Sequence, residues 1–211
     1  MRIIFSIFNT TFSKQGGVMN QDVKKMDLRF GVISMMILLA ALSRLIPHPP
    51  NFAPIGAMAL FGAAYYSKRY WAFIIPIVSM WISDLILNNV VYGQYFDHFV
   101  WFYSGSLFTY GAFALIVLLG MFTLKKVRVP RLAASALGAS AIFFIVSNFG
   151  VWFSGIMYPK DLGGLIACYA AGIPFFENTL VGDIVYSAVL FGAFEWGTRN
   201  IPQLRLAPVR G

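Results

Sequence analysis

The chain has 211 residues, of which 59% are hydrophobic and only 11% are charged. A water-soluble domain carries about 25% charged residues, so lipid must cover much of this protein's outside. The formal net charge is +8, but the sequence shows no basic face with interleaved aromatics, which argues against nucleic acid as a partner. The single cysteine, Cys168, excludes an intrachain disulfide.

Residues 1–27 are predicted to form a cytoplasmic tail, because their apolar stretch is too short for the core of a signal peptide. A membrane-spanning helix needs about 20 mainly apolar residues. Six apolar segments follow the tail, and a second cytoplasmic tail is expected at 199–211. The segments cover residues 28–46, 52–66, 70–91, 99–124, 131–153 and 180–196. The sequence therefore predicts an all-α polytopic bundle of six transmembrane helices in one domain, 28–198.

Prolines mark two of these segments. Pro47, Pro49 and Pro50 end the first, because proline removes a backbone donor and clashes with the preceding turn. Pro76 predicts a kink in the third. The second segment is short for a bilayer, so we expect it to tilt little, to thin the bilayer or to lie behind other helices.

The last outer connection, 154–178, is long and apolar, but glycines and Pro174 interrupt it. It is too short and too broken to span a bilayer. We expect a re-entrant or interfacial segment that closes over the outer face as a lid, with Asp161 capping a short helix. A packed surface loop is the alternative, since the composition is too apolar for disorder.

The distribution of basic residues predicts the orientation. Fourteen of the sixteen Lys and Arg residues lie in or beside the two tails and the connections at 67–69 and 125–131. Only Arg44 and Lys160 lie on the other side. Cytoplasmic loops of membrane proteins carry the excess of Lys and Arg. The sequence thus predicts a multi-pass protein of the inner (cytoplasmic) membrane with both termini in the cytoplasm.

Polar residues enter the outer parts of four predicted helices at a similar depth. Ionisable groups inside spans are costly and indicate a functional site by default. Residues spaced three, four or seven apart share one face of a helix, so these side chains are expected to converge near the outer mouth of the bundle. The predicted substrate-binding set is Arg44, Asp84, Asn88, Asn148, Trp152, Asp183 and Tyr186.

The charges of this set allow three interpretations. Arg44 can pair with one carboxylate, which leaves a surplus negative charge for a cationic or donor-rich ligand. Alternatively, the polar groups only hold the helices together. In a third reading Arg44 extends to the interface and pairs with nothing.

Small residues line one face of the second segment at Gly56, Ala59 and Ala63. Such faces let helices approach closely. They serve either packing inside the bundle or, as the functional prediction, the docking of a separate membrane coupling subunit.

Several chemical signatures do not occur in the sequence. It has no HExxH motif, no GxSxG elbow and no phosphate-binding loop. His48 and His98 lie in outer connections and are expected to be solvated. We therefore predict no catalytic residue, no cofactor and no metal, and a protein that is not an enzyme. A carboxylate pair acting as acid and base is the enzymatic alternative.

Four runs carry a family resemblance: NFAPIGAMALFGAAYY at 51–66, SDL at 83–85, SNFGVW at 147–152 and CYAAGIPFFENTLVGD at 168–183. They resemble an uncharacterised bacterial family of integral-membrane proteins described as transport proteins. That family is similar in architecture to the substrate-binding S components of energy-coupling factor transporters, which have six spans and a pocket near the outer face. S components carry an AxxxA docking motif on the first helix, whereas here Ala59 and Ala63 give that spacing on the second.

The expected function is thus a membrane transport protein that binds a small molecule near the outer face. Aromatic side chains would supply stacking and polar groups would fix the orientation of the ligand. Release to the inside would need a partner or a rearrangement, because no second pair of broken helices indicates alternating access. A non-transport scaffold that binds partners is the alternative.

Overall fold

The computed structural model describes residues 28–205, which are helical for most of their length. The predicted tail at 1–27 and the last six residues lie outside this range. The helices are α1 (Leu28–Leu45, with a 3-10 turn at Ser43–Leu45), α2 (Ile55–Tyr65), α3 (Arg69–Ile86, continued by a π-helical turn at Leu87–Val91), α4 (Ser106–Thr123), α5 (Val129–Ser154) and α6 (Leu162–Asn200).

Five of these helices are long and apolar enough to cross a membrane, as in a membrane protein. The exception is α2, whose eleven residues measure about 16 Å at 1.5 Å per residue. The hydrocarbon layer is about 30 Å thick, so α2 cannot cross it alone. It packs against α3, α4, α5 and α6 at the centre of the bundle. Of the three alternatives expected for this short segment, the structure favours the one in which it lies behind other helices.

The small residues of α2 serve this central position. Gly56 and Ala59 are buried, and a Cβ added at Gly120 of α4 would lie 2.7 Å from the Cβ of Ala63. The face formed by Gly56, Ala59 and Ala63 thus packs inside the bundle, where helices approach too closely for larger side chains. The burial of Gly56 and Ala59 favours the alternative of packing inside the bundle, and the docking of a separate subunit at this face stays a prediction.

The sequence prediction fails most clearly at α6. Its 39 residues form one continuous helix through Pro174, where a re-entrant or interfacial lid and a separate last span were expected. Asp161 does cap its start, accepting a hydrogen bond of 2.7 Å from the Gly164 N–H. Gly172 is a packing position and not a break, since a Cβ there would come within 2.5 Å of the Asn148 amide on α5.

The two ends of the bundle differ. One end, called the basic end because most of the described Lys and Arg residues lie there, is where α1 begins and α2, α4 and α6 end. At this end the Arg29 guanidinium donates a hydrogen bond of 2.7 Å to the Leu204 carbonyl. This contact fixes the 3-10 turn Pro202–Leu204, in a region expected to be a tail. The opposite end, here the cavity end, holds the 46–54 connection, the turn between α5 and α6, and the 92–105 connection. Asn89 pins the last of these through two hydrogen bonds with the Val100 backbone.

Candidate functional site

A cavity of about 850 Å³ opens at the cavity end, above the first turn of α2. Its wall comes from all six helices and the 46–54 connection, with α2 contributing its first turn. Cavities that hold small molecules measure about 300–1,000 Å³ and are mainly apolar with a few polar groups. This cavity matches both criteria. Its polar lining includes Arg44, Thr109, Asn148, Thr179 and Asp183.

The first charged wall group is Arg44, which ends α1. Its Nη1 lies 2.7 Å from Asp84 Oδ1 and also donates to Ser83 Oγ at 2.7 Å. Tyr110 of α4 donates to the other Asp84 oxygen at 2.7 Å. Asp84 is 4% exposed and lies behind Arg44, outside the cavity lining. Arg44 therefore pairs with one carboxylate, Asp84, as one of the three interpretations allowed, and Tyr110 extends the contact so that it joins α1, α3 and α4.

The second charged wall group is Asp183 of α6, which is 1% exposed on the cavity floor. Its Oδ1 accepts the Ala57 N–H at 3.2 Å and its Oδ2 accepts the Ser140 hydroxyl at 2.7 Å. Pro54 stands at the N-cap of α2 and provides no side-chain cap. Since the first N–H groups of a helix need acceptors and favour a negative charge, Asp183 caps α2 from another helix.

This arrangement changes the expected charge balance. Arg44 compensates Asp84, and the N-terminus of α2 stabilises Asp183. The two carboxylates thus have partners within the protein. The surplus negative charge expected beside Arg44 therefore lies on Asp183, where a backbone N–H group and a hydroxyl offset it in part.

Other polar groups complete the wall. The Asn148 amide lines the cavity and donates to the Phe144 carbonyl at 2.8 Å, one turn earlier in α5. Burial raises the pKa of Tyr103, and the neighbouring Thr109 hydroxyl acts in the opposite direction. Tyr103 therefore faces the cavity as a neutral hydroxyl, able to donate and accept hydrogen bonds.

Three further residues of the predicted set lie outside the cavity lining. Asn88 belongs to the π-helical turn after α3. The Trp152 indole N–H donates to the Pro159 and Asp161 carbonyls at 3.0 and 3.2 Å, which closes the turn between α5 and α6. Tyr186 shares a hydrogen bond of 2.8 Å with Ser43. The contacts observed for Trp152 and Tyr186 lie within the protein, and their contact with a substrate stays a prediction.

A family model matches residues 24–204 of the chain, under the description Family of unknown function (DUF6580). The chain belongs to this family. No curated protein and no solved structure matches it. The match establishes the resemblance to a family without known function, and it brings no link to transporter S components.

The DUF6580 match includes every helix described here and the whole cavity wall. Within residues 28–205 of this DUF6580 chain, no three His, Cys, Asp or Glu residues come together to hold a metal ion. Arg44, Asn148 and Asp183 are the members of the predicted set that the structure brings to one cavity.

Some site residues escaped the sequence prediction. Thr179 precedes Asp183 by one helical turn, so a shared face could have added it to the set. Tyr103 and Thr109 lie before and within α4; the position of Tyr103 at the outer start of the fourth segment indicated a similar depth, whereas Thr109 reaches the cavity only in the folded chain. Ser140 carries no signal of its own, because its role depends on how α5 and α6 pair.

Proposed function

We propose that this protein is a substrate-binding subunit of a membrane transport system, comparable in role to an S component, and that it binds a small molecule in the cavity. One observation carries the proposal: Arg44, Asn148 and Asp183, from three different helices, line one cavity of about 850 Å³. That volume is in the range of small-molecule sites.

The pattern of the wall supports a ligand of low net charge. Its two charged groups, Arg44 and Asp183, are each compensated by the protein. Desolvating a ligand with an unmatched charge is costly, whereas hydroxyl and amide groups can orient a neutral one. Aromatic and aliphatic residues such as Phe143, Phe175 and Met80 cover much of the remaining wall.

The orientation proposed is that the basic end faces the cytoplasm, because Lys and Arg collect on that side of membrane proteins. The cavity end then faces outward. Exposed aromatic residues support a bilayer between the two ends, since Trp and Tyr concentrate at membrane interfaces. Trp101 is 60% exposed near the cavity end and Trp196 is 69% exposed near the basic end.

A structural scaffold is the second candidate, and the satisfied carboxylates favour it. Asp84 and Asp183 each accept two hydrogen bonds within the bundle. A scaffold, however, has no use for an open cavity of this size. A site for binding accounts for both the cavity and the polar groups on its wall.

Native mass spectrometry of gently purified protein tests the proposal. We expect the wild type to retain one small molecule. Asp183→Asn should lose it while staying folded, because the amide oxygen can still accept the Ala57 N–H. Asp97→Asn is the matched control, since Asp97 is exposed and does not belong to the cavity lining. Unchanged retention in Asp183→Asn would rule out this site, and no retained molecule in any variant would favour the scaffold.

A further inference from the structure

The path from the cavity to the basic end is filled by α2. Ile55 and Gly56, at its start, belong to the cavity wall. Near its end, Phe61 and Tyr65 pack edge-on or tilted against Phe191 and Phe194 of α6, with ring centroids 4.4–5.5 Å apart. Phe61 is fully buried. A molecule in the cavity therefore cannot reach the basic end while α2 keeps this position.

The attachment of α2 is suited to movement as one unit. Its preceding connection, 46–54, is mostly non-helical, and only Tyr66, Ser67 and Lys68 separate it from α3. Six of its eleven residues are glycine or alanine, so it carries few large side chains that would have to pass its neighbours.

Two polar contacts join α2 to α6, one at each end. At the cavity end Asp183 accepts the Ala57 N–H at 3.2 Å. At the basic end the Tyr65 hydroxyl donates to Glu195 Oε1 at 2.6 Å. Asp183 and Glu195 lie on the same helix, about 18 Å apart at 1.5 Å per residue, so α6 holds both ends of the shorter helix.

We propose that α2 is a gate between the cavity and the cytoplasm, held closed by these two contacts as latches. The inference rests on the proposed function, because it concerns the way out of the binding cavity. Asp183 is both the floor of the cavity and the cap of α2. A bound molecule that donates a hydrogen bond to Asp183 competes with the Ala57 N–H and so weakens the first latch. Occupancy of the cavity is thereby linked to opening of the gate.

Cys168 provides the probe, because it is the single cysteine of the chain and lines the cavity. A membrane-impermeant methanethiosulfonate carrying a trimethylammonium group is applied to sealed vesicles, from the outside in right-side-out preparations and from the inside in inverted ones. A Cys168→Ala/Lys126→Cys variant calibrates the sidedness, since Lys126 is exposed between α4 and α5. We expect wild-type Cys168 to react from the outside and only slowly from the inside.

A substitution that weakens either latch should raise the rate at which Cys168 reacts from the inside and leave the rate from the outside unchanged. The loss of one interhelical hydrogen bond in a membrane shifts a two-state equilibrium about threefold. Tyr65→Phe removes one latch and should give roughly that increase. Asp183→Asn keeps an acceptor for the Ala57 N–H but removes the negative charge at the N-terminus of α2, so it should give a smaller increase, and the two effects should multiply in the double variant. Thr123→Val is the control, since it removes the Ser135–Thr123 hydrogen bond between α4 and α5 without touching α2.

The outcomes separate the gate from the site. Equal wild-type rates from both sides, or latch variants that behave like Thr123→Val, would overturn the gate and leave the outward-facing cavity in place. A wild type that retains no small molecule in native mass spectrometry would overturn the proposed function, and the gate with it, whatever the rates at Cys168, which is 2% exposed. Tyr65→Phe leaves the cap at Asp183 intact, so its result stands even where Asp183→Asn reduces the yield of folded protein.

Discussion

Asp183 on α6 supplies the cap that Pro54 cannot give to α2, by accepting the Ala57 N–H across the helix interface. One carboxylate thus closes the start of the central helix and forms the cavity floor. Because the same oxygen atoms serve folding and the cavity, changes at this position should affect both.

The first prediction concerns this cap. Asp183→Ala leaves the Ala57 N–H and the Ser140 hydroxyl without their acceptor in a buried site, which costs about 1–3 kcal/mol. Asp183→Asn should cost less, since it keeps an acceptor. Urea or thermal unfolding in detergent measures the difference. Asp97→Ala, at an exposed position, should keep a free energy of unfolding within about 0.5 kcal/mol of the wild type. An equal loss of unfolding free energy in Asp183→Ala and Asp97→Ala would contradict the capping role.

The second prediction tests the close approach of α2 to α6. A Cβ at Gly56 would lie 2.5 Å from the Asp183 carboxylate, so Gly56→Ala should destabilise the protein by about 1–3 kcal/mol. Gly111→Ala in α4 is the matched control, because nothing lies within 4 Å of its added Cβ. That change should be neutral or stabilising by about 0.5–1 kcal/mol, as expected for glycine to alanine in a helix. The same unfolding midpoint for Gly56→Ala and Gly111→Ala would argue against tight packing at Gly56.

The third prediction concerns the pair of Arg44 and Asp84. Arg44→Met leaves a buried carboxylate without its cation, which costs about 3–5 kcal/mol. Arg44→Met/Asp84→Asn should recover part of this loss, because no uncompensated charge remains. A double-mutant cycle of unfolding free energies measures the coupling. Strictly additive effects would mean that the two side chains do not interact in the folded protein.

The fourth prediction concerns access to the cavity. Ala171 lines it three residues after Cys168, so Ala171→Trp should fill space beside the thiol and slow its reaction with N-ethylmaleimide severalfold. Ala170→Trp places the same side chain at the adjacent exposed position, outside the cavity lining. It should leave the rate close to that of the wild type. Equal rates for the two variants would show that the thiol is reached by another route.

The sequence predicts much of the fold because long apolar segments are a strong signal. Five of the six predicted segments correspond to helices of spanning length or to part of one. The boundaries fail where contacts outweigh composition: residues 99–105 form a connection pinned by Asn89, and Gly105 adopts a φ of 88° that suits glycine. At 162–176 the glycines mark contacts with α5, and the sequence alone could not distinguish such contacts from breaks.

The candidate site is predicted in part for a related reason. Periodicity places Arg44, Asn148 and Asp183 at one depth, and they do meet at one cavity. Periodicity cannot tell which of two polar neighbours faces inward: Asn89, and not Asn88, makes the contacts observed in the π-helical turn. The cap provided by Asp183 depends on where a different helix begins, which no local pattern encodes.

Binding in the cavity is tested most directly by native mass spectrometry of the Ala171→Trp and Ala170→Trp variants, which measures the mass of ligand that each retains. If the cavity binds a small molecule, the wild type and Ala170→Trp carry one molecule per chain, and Ala171→Trp is bare. A bound molecule that persists unchanged in Ala171→Trp, or the absence of a bound molecule in all three proteins, would contradict binding of a small molecule in the cavity.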